Sequence, residues 1–288
     1  MKRFSFTMLL TVLMALVTAC GQSGTGTDTT GSSPAASASA PASSAPTDAT
    51  SAAGGSVPDL GGRKVVVGTD ATYPPMESVD AQSNQIVGFD VDVMNEIGKL
   101  ANFTPEFQNT SFDTIFTALQ SKQFDAVMSS VTITDERKKI VAFSEPYITV
   151  GQVIVTANDN TTITSAETLA SAQVGVQTGT TGEEAALNVG KVPDGNLRRY
   201  QTIDLAFADL ANGTIDAVVV DSVPAADYSR QPQYEGKIKI VGEPFTTEDY
   251  GIAVQQGDTE LLNAINAGIA QLKGNGTIDQ LKQKYNIK

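Results

Sequence analysis

Histidine and tryptophan are absent from this chain, and cysteine occurs once. Without histidine there is no Ser-His-Asp triad, no Cys-His dyad and no histidine metal ligand. A single cysteine closes no intrachain disulfide and forms no CxxC pair. Positive charge is scarce too: 19 Lys and Arg stand against 32 Asp and Glu in 288 residues, a net charge of −13. That balance argues against nucleic acid as the main partner, because phosphates call for a basic face. Beyond Ala19 no apolar run is long enough to cross a bilayer. There is no GxGxxG after a strand, no GxxxxGK[ST] and no GxSxG. Carboxylates are plentiful, but no spacing marks an acid/base pair. No metal, cofactor or catalytic residue is called for.

The N-terminus carries an address. Lys2 and Arg3 precede a mostly apolar run from Phe4 to Ala19, short for a membrane span but matched to the h-region of a signal peptide. The run ends in Val17-Thr18-Ala19-Cys20 and resembles a bacterial lipobox. Cys20 would then be lipidated and open the mature chain, with 1–19 as a lipoprotein signal peptide. The other reading is an ordinary signal peptide with an incidental cysteine. Of the 42 residues in 21–62, 36 are Gly, Ser, Thr, Ala or Pro. Such a segment buries too little apolar surface to offset its chain entropy. We expect 20–62 to be a flexible linker, with a reach on the order of 35 Å, tethering the folded part to the bacterial cell membrane on its extracytoplasmic side. The acidity belongs to that folded part, which from Arg63 onward has 17 basic and 29 acidic residues.

From Lys64 the pattern is α/β. Lys64–Gly68 reads as a buried strand. Phe89-Asp90-Val91-Asp92 opens a helix with Asp90 as N-cap and Val93, Met94, Ile97 and Leu100 at helical spacing. Ser111 caps a second helix, and Phe124–Met128 follows as a strand. Strand, helix, strand in this order predicts parallel βαβ units. The pattern repeats. Phe116 and Leu119 precede Asp125-Ala126-Val127 as Phe207 and Leu210 precede Asp216-Ala217-Val218, and Val65–Thr72 is echoed by Val174–Thr181. Either these are two related lobes facing across a cleft, or any two βαβ units look this much alike. At the C-terminus, Leu261, Leu262, Ile265, Ile269 and Leu272 form one helix face. Gly274-Asn275-Gly276 stops that helix, and Thr277 caps the next.

Polar residues cluster at the predicted strand ends, in Gly68–Glu77, Ser129–Arg137, Gln177–Gly182 and at Asp221. Ligands of open α/β sheets bind beyond the carboxyl ends of the strands. One arginine, several hydroxyls and an acid suit a zwitterion, since a guanidinium holds a carboxylate bidentately and an aspartate pairs with an ammonium. Each residue has a plainer reading: Arg137 as a solvated charge on a first helical turn, Asp221 as a helix cap, Phe112 as core.

Together VGTDATYPPMES, IVGFDVDVMNEI, FDAVMSSVTITDERKKIVAFSEPY, VGVQTGTTGEE, IDAVVVDS and GNGTIDQLKQKY resemble the family 3 extracellular solute-binding proteins of bacterial ABC transporters, the polar amino acid binders. The resemblance covers 64–288. It implies a type II periplasmic-binding-protein fold, with one lobe of 64–149 plus 249–288, a second of 154–244, and hinges near Gly151-Gln152 and Thr247-Glu248. It implies that Arg137 clamps a ligand α-carboxylate with Thr132 and Thr181, and that Asp221 and the Ser130 carbonyl receive the α-ammonium. Tyr73 and Phe112 would sandwich the side chain, Asp70, Glu77 and Ser129 would read its tip, and Gly179 and Thr180 would complete the site. Met76 replaces the family's usual aromatic in one pocket wall. Two acids at the tip favour a basic ligand, although Asp70 also occurs in glutamine-binding relatives. The implied function is that of a monomeric, non-enzymatic binding lipoprotein serving ABC permease subunits. A cyclohexadienyl-dehydratase-like enzyme on the same fold and a ligand-presenting sensor are the alternatives.

Overall fold

The computed structural model describes residues 56–288. The expected signal peptide, Cys20 and most of the expected linker lie outside the described residues. The strands are β1 (Arg63–Thr69), β2 (Thr72–Tyr73), β3 (Glu77–Val79), β4 (Ile86–Val87), β5 (Phe103–Asn109), β6 (Ala126–Val127), β7 (Ala142–Phe143), β8 (Ile148–Val150), β9 (Gln152–Ala157), β10 (Val174–Gln177), β11 (Leu197–Tyr200), β12 (Ala217–Asp221), β13 (Ile238–Val241), β14 (Glu248–Tyr250) and β15 (Ala253–Val254). The helices are α1 (Phe89–Ala101), α2 (Ile115–Gln120), α3 (Asp135–Lys138), α4 (Thr181–Asn188), α5 (Ile203–Ala211), α6 (Ser222–Arg230), α7 (Thr259–Gly274) and α8 (Thr277–Lys284).

Two five-stranded sheets carry the fold, ordered β5-β1-β6-β15-β7 and β11-β10-β12-β9-β13. In the first, β1 lies parallel between β5 and β6; in the second, β10 lies parallel between β11 and β12. The fourth strand in each order, β15 or β9, runs antiparallel. Helices cover the sheets because their apolar stripes need burial. The Val93, Met94, Ile97 and Ala101 face of α1 packs with Leu261, Ala264, Ile265 and Leu272 of α7 in one core.

The internal echo is a structural repeat. Val67 pairs with Ala126 and Gly68 with Val127, while Val174 pairs with Ala217 and Gly175 with Val218. The equivalent of Val174 is therefore Val67, two residues beyond the frame suggested by matching Val65–Thr72 with Val174–Thr181. The acid before each strand does the same work in both halves: the Asp125 carboxylate accepts from the Val66 amide at 2.8 Å, and the Asp216 carboxylate from the Gln173 amide at 2.8 Å. We expect Asp125→Ala to lower stability by about 1–2 kcal/mol, the usual result of leaving a half-buried amide without its acceptor, and Asp216→Ala by less, because its bond to the Gln173 amide is exposed to water. Urea unfolding checks this, and an unchanged midpoint for both would contradict it.

Several local expectations need correction. The linker ends before residue 62: Leu60 is buried in the core with Val57 packed against it, and the Leu60 and Gly62 amides donate to the Ala101 and Asn102 carbonyls. Two apolar residues in a polar segment were enough to dock its last turn. Gly88, not Asp90, is the N-cap of α1, and Asp90 is fully buried. Ser111 precedes a 3-10 turn and makes no side-chain cap bond. Gly276 caps α8, with Thr277 its first residue. Met76 belongs to the hydrophobic core and does not line the cavity described below.

The chain passes between the sheets beside the antiparallel ribbon of β8 and β14. A Cβ on Gly151 would lie 2.1 Å from the Thr246 carbonyl oxygen, so only glycine lets the two crossing segments touch.

Candidate functional site

β1, β6, β10 and β12 all point their carboxyl ends at one cavity. Their ends supply Asp70, Ser129 with Ser130, Gln177 and Asp221 respectively. The repeat makes Gln177 the counterpart of Asp70, and Asp221 the counterpart of Ser130. Tyr73, Glu77, Phe112, Thr132, Arg137, Thr180 and Thr181 complete the lining. The cavity they enclose is small, about 20 Å3, because side chains from the two halves meet across it.

Polar contacts cross this space from one half to the other. Tyr73 Oη donates to Asp221 Oδ2 at 2.5 Å, and Gln177 Nε2 to Asp70 Oδ2 at 2.7 Å. Arg137 Nη1 donates to the Thr132 carbonyl at 2.8 Å, on its own side, and Nη2 to the Gly179 carbonyl at 3.1 Å, on the other. The guanidinium also lies 5.5 Å from the Phe112 ring centre and 5.2 Å from that of Phe116, so two electron-rich faces hold it.

Arg137 is 8 % exposed, and among the described residues it makes no salt bridge. Burial holds its pKa below the ordinary arginine range, although it stays charged. Two of its five donor hydrogens go to carbonyls; the others are free for an anion. Asp221 occupies the N-cap position of α6 but makes no cap bond. Its carboxylate turns inward to Tyr73 and to Gln152 Nε2, 2.9 Å away. Burial, reinforced by the charge of Glu248, raises its pKa to about 6. The two plainer readings of Arg137 and Asp221 are thus wrong for this fold: neither is a surface charge or a working cap.

A second acidic group lies at the far end. Asp70 accepts from Thr72 Oγ1 at 2.8 Å as well as from Gln177. Glu77, fully buried, accepts from the Ser129 and Ser130 hydroxyls at 3.4 and 3.3 Å. Behind it Asp90 accepts from the Ser130 amide at 2.9 Å and from Tyr147 Oη at 2.8 Å. Desolvation pushes Asp70 up, and raises Glu77 well above its ordinary value with help from the neighbouring Asp90 charge; Asp90 itself is raised to about 6 by burial. Among the described residues none of these acids has a cationic partner.

The backbone adds donors. Thr132 faces Tyr250 across a bridge flanked by Ile133 N to Asp249 O and Gly251 N to Val131 O bonds. In that widely spaced arrangement the amide and carbonyl of Thr132 both point away from Tyr250, and the carbonyl is the one that Arg137 meets. The Thr181 amide opens α4, where an N–H has no partner one turn back.

Of the residues singled out in the sequence, Asp70, Tyr73, Glu77, Phe112, Ser129, Ser130, Thr132, Arg137, Thr180, Thr181 and Asp221 all reach this cavity, while Gly179 does not line it and meets the Arg137 guanidinium through its carbonyl. Gln177 lies in the polar stretch Gln177–Gly182 without standing out from it. Gln152 and Glu248 read from the sequence only as hinge residues, Asp90 only as a helix cap, and Tyr147 not at all. A glutamine heading the apolar run Gln152-Val153-Ile154-Val155 is the one available signal.

Two similar sheets, hinged by a ribbon and meeting at a polar cavity, define a cleft-type binding protein. The chain belongs to the bacterial extracellular solute-binding proteins, family 3, whose model matches residues 65–288. It is 35 % identical over 224 residues to a "Probable histidine-binding protein" of Neisseria gonorrhoeae, covering 78 % of this chain and 83 % of that one. Among solved structures it resembles "An ancestral arginine-binding protein bound to arginine", with 41 % identity, a TM-score of 0.73, and coverage of 77 % and 97 %. It also resembles a "substrate binding protein of an amino acid ABC transporter", with 35 % identity, a TM-score of 0.71, and coverage of 77 % and 98 %. The fold is the type II periplasmic-binding-protein fold that the motifs implied, and the chain is a solute-binding protein.

Proposed function

We propose that this protein captures a polar, basic L-amino acid outside the cytoplasm and delivers it to the permease subunits of an ABC importer, without catalysing a reaction. The observation that carries this reading is a pair of unmatched buried charges. Among the described residues Arg137 has donors to spare and no carboxylate, and Asp221 has no cation. An α-carboxylate at Arg137 and at the Thr132 and Thr181 amides, with the α-ammonium at Asp221 and the Ser130 carbonyl, completes both. The Asp70 and Glu77 end then faces the side chain between Tyr73 and Phe112, and a cationic tip suits it. In this reading 64–149 plus 249–288 and 154–244 are lobes that close on the ligand, because contacts crossing the cavity exist only when it is shut. A lipid on Cys20 keeps the protein at the membrane.

A thermal-shift screen of the twenty amino acids tests this. A ligand at about 100 times its Kd adds about 2.7 kcal/mol, and we expect Arg, Lys, His or Gln to rank first. Stabilisation by Glu or Asp alone would contradict the acidic-tip argument.

A further inference from the structure

Thr132 and Thr181 hold their hydroxyls against one carboxylate oxygen. Thr181 Oγ1 lies 2.6 Å and Thr132 Oγ1 2.8 Å from Glu248 Oε2, while Thr246 Oγ1 lies 2.8 Å from Oε1. The two threonines come from opposite sides of the cavity, and their oxygens are 3.2 Å apart. Glu248 itself starts β14, in the ribbon beside the crossing segments. A hydroxyl has one proton to give. A proton committed to Glu248 is not available to a ligand carboxylate, so each hydroxyl offers a ligand only lone pairs. The network also extends along the cavity wall: Gln152 Nε2 donates to Thr181 Oγ1 at 3.3 Å and to Asp221 Oδ1 at 2.9 Å.

We infer that Glu248 is a positioning residue for the carboxylate end of the site. By taking both threonine protons it pins the two sides together across the cavity mouth and orients the Thr132 and Thr181 amides, not their hydroxyls, toward the ligand. This rests on the binding-protein reading above and adds to it a residue that touches no ligand. The alternative is that the hydroxyls are the ligand's own donors, with Glu248 competing for them.

The two cases predict opposite signs. The test is calorimetric titration of the wild type, Glu248→Ala, Thr181→Val and the double variant with L-arginine, each checked for folding by its unliganded melting temperature. If Glu248 positions the threonines, E248A binds about 10- to 100-fold more weakly, as for lost hydrogen bonds to a charged group. T181V then costs little more once Glu248 is gone, a non-additive cycle. Ligand-induced compaction seen by small-angle scattering is also reduced in E248A, a change that a purely local packing role would not produce. Glu96→Gln removes an acid paired with Lys99 on the surface of α1 without touching either hydroxyl or Arg137, and it is expected to bind as the wild type does. An E248A variant that binds as tightly as the wild type or more tightly, or an additive cycle, overturns this inference and leaves the binding function standing. A wild type that binds neither L-arginine nor any other of the twenty amino acids overturns both.

Discussion

Replacing Arg137 with alanine is expected to weaken amino acid binding by about 2–5 kcal/mol, or about 30-fold to several thousand-fold, the usual consequence of removing one partner of a buried, hydrogen-bonded charge pair. The geometry explains why the loss is large. The guanidinium is held by two carbonyls and two aromatic rings, so its remaining donors are already aimed and little orientation entropy is spent on binding. It also reaches the Gly179 carbonyl across the cavity, so its loss removes a closing contact as well as a ligand contact. Arg137→Lys should restore only part of the affinity, because an ammonium is a point charge without a fork. Stability without ligand should change far less than affinity, since among the described residues Arg137 has no ion pair to lose. Calorimetry giving near-native affinity for R137A would refute the carboxylate assignment.

The second expectation concerns pH. With its pKa near 6 in the empty protein, Asp221 is neutral below pH 6 and must ionise to receive an ammonium. Affinity should therefore fall as pH drops below about 6, by about tenfold per unit, with a proton released on binding. Above that value it should level off. Stability of the unliganded protein should move the other way. Asp221 and Asp90 have folded pKa values raised above the unfolded value of 3.8. Their contribution is fully present below that value and is lost as pH rises through 6. Asp221→Asn separates the two effects: it should bind weakly at every pH and lose the acid limb of the affinity profile. A wild-type affinity that is flat from pH 5 to 7.5 would show that Asp221 does not receive the ammonium.

How much of this the sequence discloses depends on chain distance. Asp70, Ser129, Ser130, Gln177 and Asp221 end parallel strands, and parallel strands announce themselves as β-branched runs that break into polar stretches. Arg137 is legible only through its motif, since one charge on a four-residue helix says nothing of burial. Gln152 and Glu248 arrive from the two crossing segments, whose approach depends on Gly151 and the β8–β14 ribbon and not on any local pattern. Asp90 lies in a first helical turn, where an acid is ordinarily a cap or a dipole partner; here the Ser130 amide and the Tyr147 hydroxyl claim it behind the cavity. The two-residue strands β7 and β15 are too short for periodicity to reveal.

The order of the first sheet has a consequence for assembly. All five strands of the second sheet fall within 152–241, so that sheet can be completed from one uninterrupted stretch of chain. The first cannot, because β15, which separates β6 from β7, comes from residues 253–254. Its closure spans more than a hundred residues from β6 and adds a large loop-entropy cost before its contacts form. Refolding should thus be staggered, with amide protons of 152–241 protected first and those of β6 and β7 waiting on the arrival of the C-terminal segment.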